Sequence, residues 1–178
     1  MNIVIMGPQG SGKSTQAEIL ASNLAVPHIS TGDIFRRIKE ESAGSELSRR
    51  VKDRLEKGLL VEDVDALGVV DERLSKDDCK GGFVLDGAPR DIFQAESMKA
   101  VIHKVFYVMV SDPVCVKRLV LRGREDDTEE LINVRLAEYH KQTESVLGFY
   151  RSQNKLIEVN GEAKIGEIAE EILEKVKN

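Results

Sequence analysis

The sequence has few of the residues that mark disulfide frameworks, zinc sites or metal clusters. Its two cysteines, Cys79 and Cys115, stand far apart, with no C-x-x-C spacing and no histidine nearby. This pattern indicates neither a disulfide framework nor a zinc site, so we expect both thiols to be reduced and structural. The three histidines, His28, His103 and His140, are widely separated, and nothing groups them as a catalytic or metal-binding set.

Long apolar runs are also absent. No stretch approaches the ~20 apolar residues of a transmembrane helix, and the N-terminus lacks the charged-then-apolar layout of a secretory signal. We therefore expect no membrane partner and, by default, a cytoplasmic protein. No apolar stripe demands oligomerisation, so we expect a monomer.

Basic residues do not predominate either, because the formal net charge is −5. A general nucleic-acid binder needs a net basic surface, so we expect no nucleic-acid partner. Any anionic ligand must instead be held by local clusters of arginine.

What the sequence does contain is ordinary for a globular protein: 41% hydrophobic and 32% charged residues in a chain of 178. This length favours one domain, residues 1–178, with a substantial core. Short apolar runs alternate with helical patterns, and the runs are residues 2–6, 26–30, 82–85, 105–110 and 156–159. They predict an α/β fold with a five-stranded parallel sheet flanked by helices. Ligands of such sheets bind at the carboxyl ends of the strands.

The first apolar run leads into a phosphate-binding motif. Residues 7–14, Gly-Pro-Gln-Gly-Ser-Gly-Lys-Ser, match G-x-x-x-x-G-K-[ST] at every fixed position. Glycines let successive N–H groups turn inward around an anion, and the N-terminus of the following helix adds positive potential. Lys13 contributes a charge, and Ser14 offers a hydroxyl to Mg²⁺. A glycine-rich turn without a ligand is the alternative, which the helical pattern over residues 14–24 makes less favourable.

A second motif, Ser30-Thr31-Gly32-Asp33 followed by Arg36, comes directly after the second apolar run. Either Ser30 or Thr31 can cap a helix, and Arg36 then faces the same helix end. A capped helix with solvated arginines explains the pattern equally well.

The next stretch, residues 40–75, is charged and helical, with a break at Gly58. It is much longer than one crossover helix requires, which suggests a small helical insertion that can move relative to the sheet. An acceptor-binding flap and a simple packing pair of helices are both compatible with it.

The third apolar run ends in a carboxylate, Asp86, followed by the turn Gly87-Ala88-Pro89-Arg90. Beside a phosphate loop, an acid at the end of a strand can hold a Mg²⁺-bound water, and Arg90 can bind phosphate in bidentate fashion. Without the phosphate loop, Asp86 would more simply be a turn residue.

Arginines surround a short turn near Gly123, and they are Arg118, Arg122, Arg124 and Arg135. Asp112 is the expected N-cap of the helix before this turn, and Asp127 that of the helix after it. The arginines either pair with neighbouring carboxylates or form a phosphate clamp that closes over the reaction.

Together the motifs resemble those of the adenylate kinases, in order and over the whole chain. They are Gly7–Thr15, Ser30–Asp33 with Arg36, Gly82–Arg90 with Gln94, and Arg124-x-Asp-Asp with Arg135. The resemblance implies a P-loop NTPase fold that transfers a phosphoryl group reversibly from Mg·ATP to AMP, giving two ADP. It divides the chain into a core (residues 1–29, 62–121 and 128–178), a monophosphate-binding insertion (30–61) and a minimal lid (122–127).

The resemblance also implies the roles of individual residues. ATP would be bound by Gly10, Ser11, Gly12, Lys13, Ser14, Thr15, Arg118, Arg122 and Ala163, with Arg118 flanking the base. The monophosphate would be bound by Thr31, Arg36, Leu59, Leu60, Val61, Gly87, Ala88, Pro89, Arg90, Gln94, Arg124 and Arg135, with Gln94 reading the adenine edge. Catalysis would rest on Lys13, Arg36, Arg90, Arg124 and Arg135. Mg²⁺ would be held by Ser14 and, through water, by Asp86.

Two departures from the family pattern stand out. Ala88 replaces the aromatic residue of the usual D-G-F-P-R motif, and the segment 122–127 is shorter than in short-lid members. Two alternatives therefore remain open. One is a kinase of the same fold that acts on UMP, CMP or a small polyol, and the other is an ATP-binding regulatory or assembly factor with weak kinase activity.

Overall fold

The computed structural model describes residues 1–40, 44–57, 61–123 and 128–177. Several sequence-based expectations fall outside these residues: the break at Gly58, the substrate contacts of Leu59 and Leu60, the catalytic role of Arg124, and the lid centre.

A single parallel sheet organises the described part of the chain. Its five strands are β1 (Asn2–Met6), β2 (His28–Ser30), β3 (Phe83–Asp86), β4 (Lys104–Met109) and β5 (Leu156–Asn160). Their order across the sheet is β2-β3-β1-β4-β5. The predicted five-stranded parallel sheet is confirmed, and β1, which feeds the phosphate motif, is its central strand.

Helices follow every strand, as the sequence predicts. Within the described ranges they are α1 (Lys13–Leu24), α2 (Thr31–Glu40), α3 (Glu46–Glu56), α4 (Asp63–Leu74), α5 (Ile92–Ser97), α6 (Asp112–Arg122), α7 (Glu129–Ser152) and α8 (Ile165–Lys177), with one 3₁₀ turn at Asp77–Cys79. None of these helices combines the length and the apolar character needed to span a membrane.

Both faces of the sheet are buried, which explains why its strands read as continuous apolar runs. Successive residues of β1 alternate between two clusters, with Ile3 and Ile5 in one and Val4 and Met6 in the other. The first cluster packs against α1 and α8, and the second against α4, α5 and α7. A smaller cluster joins α6 to α7. The central strand is therefore fixed from both sides.

Two helix caps differ from the sequence-based expectation. Ser111, in extended conformation, is the N-cap of α6, and Asp112 is already helical ahead of Pro113. Thr128 is the N-cap of α7 and accepts a hydrogen bond from the Leu131 N–H. The predictions that Asp112 and Asp127 fill these cap positions are therefore wrong. In both places a hydroxyl residue precedes an acidic first turn, where the carboxylate still faces the positive end of the helix dipole.

The helix α3 stands apart from the sheet. Its one buried residue, Val51, belongs to neither sheet-face cluster, whereas α4 contributes Val70 and Leu74 to the core. Ion pairs join α3 to α4, among them Arg50 with Asp65 at 2.7 Å. The Arg50 side chain is exposed to solvent, and pairs of this kind contribute at most about 1 kcal/mol. These contacts support an insertion whose boundary falls between α3 and α4, and the domain division stays a proposal.

Candidate active site

The phosphate motif forms the loop between β1 and α1. Gly10 and Gly12 adopt φ angles of +85° and +86°, in the left-handed region that residues with a Cβ rarely occupy. Gly12 is the N-cap of α1, no side chain caps this helix end, and the first turn carries no acidic residue. The N–H groups and the dipole of α1 are therefore directed at the loop without a competing carboxylate, which makes this end an anion site.

Lys13 lies over this loop and is largely buried. Its Nζ donates to the carbonyl oxygen of Pro8 at 3.3 Å. Burial lowers the pKa of Lys13, the Asp86 carboxylate opposes this effect, and Arg90 and Arg122 add to it. The ammonium group thus interacts electrostatically with one carboxylate and two guanidinium groups. A bound phosphate would stabilise its charged form.

Arg118 anchors the loop from α6. One of its Nη atoms donates to the carbonyls of Gly10 and Ser11, at 3.5 and 3.3 Å, and the other donates to Gly161 at 3.0 Å. This guanidinium therefore joins the loop to the turn that follows β5, two residues before Ala163. Its contact with a nucleotide base stays a prediction.

Asp86 ends β3 next to the loop and is almost fully buried. Its Oδ2 lies 2.7 Å from Nε2 of His28 on the adjacent strand β2. Because His28 pairs in register with Val84, two residues before Asp86, the two side chains share a face of the sheet. The sequence placed no function on His28, since strand adjacency cannot be read from residue spacing.

Two cavities open at this edge of the sheet and share a wall. The larger, about 600 Å³, is lined by Gly7, Gln9, Lys13, Arg90, Arg135 and Tyr139, among others. The smaller, about 250 Å³, is lined by Thr31, Val61, Asp63, Ala88, Arg90 and Gln94, among others. Gly87, Ala88 and Arg90 line both. Pro89 lines the larger cavity.

Other predicted site residues lie near these cavities in different ways. Thr31 is 2% exposed, and its hydroxyl has no partner in the described structure. Arg36 instead pairs with Asp33 on the surface of α2. Ser14 and Thr15 are exposed at the start of α1. The structure thus brings together the loop, Asp86, Arg90 and Arg135, with Thr31 and Gln94 in the adjoining smaller cavity. Arg36 lines neither of these two cavities and pairs with Asp33.

One face of α7 also lines the larger cavity, and sequence reasoning found only Arg135 on it. Glu138, Tyr139 and Gln142 follow Arg135 at three, four and seven positions, and all four line the cavity. Helical periodicity from Arg135 would have identified them. Tyr139 brings a buried hydroxyl to this wall of the cavity.

This arrangement defines a P-loop phosphotransferase. It consists of a strand, a glycine-rich anion loop and a helix, with a carboxylate on the neighbouring parallel strand and arginines around two joined cavities. Residues 5–155 match the family model described as adenylate kinase. The chain belongs to the adenylate kinase family, whose members are nucleoside monophosphate kinases.

Relatives of similar length align over nearly the whole chain. The protein called adenylate kinase 1 in Synechocystis is 40% identical over 182 positions, which cover 98% of this chain and 96% of the relative. The adenylate kinase of Xanthomonas campestris is 39% identical over 183 positions, covering 97% of each chain. These similarities do not favour either alternative function.

A relative from Thermosipho melanesiensis, also named adenylate kinase, is 39% identical over 211 positions, covering 97% of this chain and 98% of the relative. The alignment is longer than the 178 residues of this chain. That relative therefore carries residues that this chain lacks.

The two left-handed glycines of the loop allow a matched test. A Cβ at Gly10 would lie 2.8 Å from the carbonyl oxygen of Cys115, whereas one at Gly12 would meet nothing within 4 Å. We expect Gly10→Ala to lower the free energy of unfolding by about 1–3 kcal/mol more than Gly12→Ala, because both pay the same backbone strain but only Gly10→Ala displaces α6. Urea denaturation of both variants measures the difference. Equal losses would contradict a close contact between the loop and α6.

Proposed function

We propose that the chain transfers a phosphoryl group reversibly from ATP to AMP, giving two ADP, with the donor phosphates in the larger cavity and the monophosphate in the smaller one. The observation that carries this proposal is the shared wall of Gly87, Ala88 and Arg90. Two sites on either side of one short turn can present donor and acceptor phosphates to each other without an intermediate carrier.

On the donor side, the loop and the start of α1 hold the ATP phosphates through Gly10, Ser11, Gly12, Lys13, Ser14 and Thr15. Arg118 and Ala163 stand beside the turn after β5, where the base would lie, and Arg122 contributes positive charge near Lys13. The lowered pKa of Lys13 is compatible with a site built for an anion, because a bound phosphate would stabilise the ammonium form.

On the acceptor side, a larger set of residues binds AMP. It comprises Thr31, Arg36, Leu59, Leu60, Val61, Gly87, Ala88, Pro89, Arg90, Gln94, Arg124 and Arg135. The unpartnered Thr31 hydroxyl supports this assignment, since a buried polar group without a partner is costly unless a ligand satisfies it. Arg36 must release Asp33 before it can bind a phosphate, so its role requires a change in its side-chain conformation.

Mg²⁺ fits the residues at this place. Ser14 and Asp86 offer oxygen atoms, which Mg²⁺ prefers, and His28 holds one Asp86 oxygen in a fixed position. Ser14 would bind the ion directly and Asp86 through water. When bound, the ion neutralises charge on the phosphate oxygens.

Catalysis in this arrangement is alignment together with neutralisation of charge, so the chain needs no general base. Lys13, Arg36, Arg90, Arg124 and Arg135 would surround the migrating group. Closure of the insertion (residues 30–61) and of the lid (122–127) would exclude water, which competes with AMP as acceptor. We further propose a cytoplasmic monomer. We also propose that it has no nucleic-acid partner, which the net charge of −5 supports.

The proposed acceptor is tested by comparing AMP, GMP, CMP and UMP in a coupled transfer assay with Mg·ATP. We expect the highest kcat/KM with AMP, because the Gln94 amide can both donate and accept at the base edge. A higher kcat/KM with UMP or CMP would instead support a kinase of the same fold with another acceptor. Very slow turnover with all four would support a regulatory role.

Arg90 provides a test of how the site is divided. We expect Arg90→Ala to lower phosphoryl transfer roughly a thousandfold while ATP affinity changes little, since the loop holds the donor and Arg90 stabilises transferred charge. Transfer kinetics and ATP titration calorimetry measure the two effects. Arg151→Ala, which removes an exposed arginine paired with Glu158, is the matched control. A collapse of ATP affinity in Arg90→Ala would show that the two sites are assigned incorrectly.

The short lid leads to a prediction about water. We expect a higher ratio of ATP hydrolysis to AMP transfer than in a long-lid adenylate kinase, because a lid of so few residues would give less cover over the ATP phosphates. Phosphate release from ATP, measured with and without AMP for both enzymes, gives the ratio. Undetectable release in the absence of AMP would refute the expectation.

A further inference from the structure

The buried amide of Gln94 is held at both ends. Gln94 is 4% exposed on α5, at the wall of the smaller cavity. Its Oε1 accepts the backbone N–H of Arg90 at 3.0 Å, and its Nε2 donates to Oδ1 of Asp63 at 2.9 Å. Asp63 is the first residue of α4, so the contact reaches between two helices.

These two partners admit one orientation of the amide. A backbone N–H can only donate, and an ionised carboxylate can only accept. Rotating the amide by 180° would place two donors face to face at Arg90 and two acceptors face to face at Asp63. Both hydrogen bonds would be lost at a buried position, where each unmade bond is costly.

The Asp63 carboxylate affects the pKa of the neighbouring Asp91. Burial raises the pKa of Asp91, and the neighbouring Asp63 carboxylate raises it further. Asp91 itself accepts a hydrogen bond from the Gln94 backbone N–H at 2.9 Å. Asp91 thus engages the Gln94 backbone, whereas Asp63 is the acceptor of the Gln94 side-chain amide.

Once both contacts are made, the amide retains one N–H and one oxygen lone pair for a ligand in the smaller cavity. The two hydrogen bonds to Arg90 and Asp63 fix the order in which this N–H and this lone pair face the base. Adenine presents an amino donor beside a ring-nitrogen acceptor, which complements that order. Hypoxanthine presents a carbonyl acceptor beside a ring N–H, which opposes it. On a smaller ring, cytosine presents the same pair of groups as adenine, and uracil presents the same pair as hypoxanthine.

We propose that Asp63 is a specificity-determining residue that acts through Gln94: by fixing the amide, it makes the acceptor site select bases with an amino group next to a ring-nitrogen acceptor. This inference rests on the proposed binding of AMP in the smaller cavity. Asp63 would act without contacting the base, whereas a residue that reads the base directly must contact it.

AMP and IMP form the decisive pair of probes, because they differ only in the amino or carbonyl group at one ring position. Titration calorimetry of the full chain gives the ratio of their affinities. We expect wild type to favour AMP, and Asp63→Asn to narrow the preference about tenfold, since an asparagine amide can donate as well as accept. CMP and UMP should show the same narrowing. ATP affinity should stay unchanged.

Two further variants separate positioning from packing. In a Gln94→Ala background, Asp63→Asn should leave the AMP-to-IMP ratio unchanged, because the amide through which it acts is gone. Asp63→Glu keeps a carboxylate acceptor and should therefore retain most of the AMP-to-IMP preference that Asp63→Asn loses. Asp77→Asn, which removes a highly exposed aspartate paired with Lys80, is the charge-matched control. Thermal unfolding verifies the fold of each variant, and Asp63→Ala replaces Asp63→Asn if the latter does not fold.

The possible results separate a failure of the role assigned to Asp63 from a failure of the proposed AMP binding. If wild type binds no AMP, the proposed function itself fails. If wild type prefers AMP but Asp63→Asn weakens AMP and IMP equally, Asp63 merely packs α4 against α5 and the inference is overturned. An unchanged ratio in Asp63→Asn, or an equal change of ratio with and without Gln94, overturns it as well.

Discussion

The pairing of β1 with β3 is the constraint on which the site depends. These strands are parallel and in register from Asn2 with Phe83 to Ile5 with Asp86. The glycine-rich loop and the turn of residues 87–90 therefore leave the sheet side by side. A parallel sheet gathers strand ends at one edge, so a donor cradle and an acceptor wall that are far apart in sequence become neighbours. Burial of both sheet faces fixes this register, because a slip by one residue would exchange the two clusters.

Positive charge is concentrated at the site, although the chain as a whole carries a net negative charge. The protein is acidic overall, yet the site combines a helix N-terminus, a buried lysine and arginines from α6, α7 and the turn after β3. Burial lowers the pKa of Lys13, and repulsion from Arg90 and Arg122 in the absence of ligand lowers it further. An anionic substrate relieves this repulsion, so binding energy is available for closing the site.

Sequence reasoning recovered most of the fold, because strongly apolar strands and the glycine-lysine motif carry their own local signals. The five strands and the loop were predicted within a few residues of their positions. Contacts between elements could not be read in the same way. The His28–Asp86 pair depends on strand order, and the Asp63–Gln94 contact depends on how α4 packs against α5. The cap positions failed for a local reason: hydroxyl and carboxylate residues stood next to each other, and either could serve.

The contact of Arg118 with Gly10, Ser11 and Gly161 bears on how the protein is made. Because translation runs from the N-terminus to the C-terminus, the nucleotide-binding loop is synthesised well before Gly161. The Gly161 carbonyl that holds the second Nη of Arg118 is therefore added late. A nascent chain that stops before β5 carries the phosphate motif without this contact.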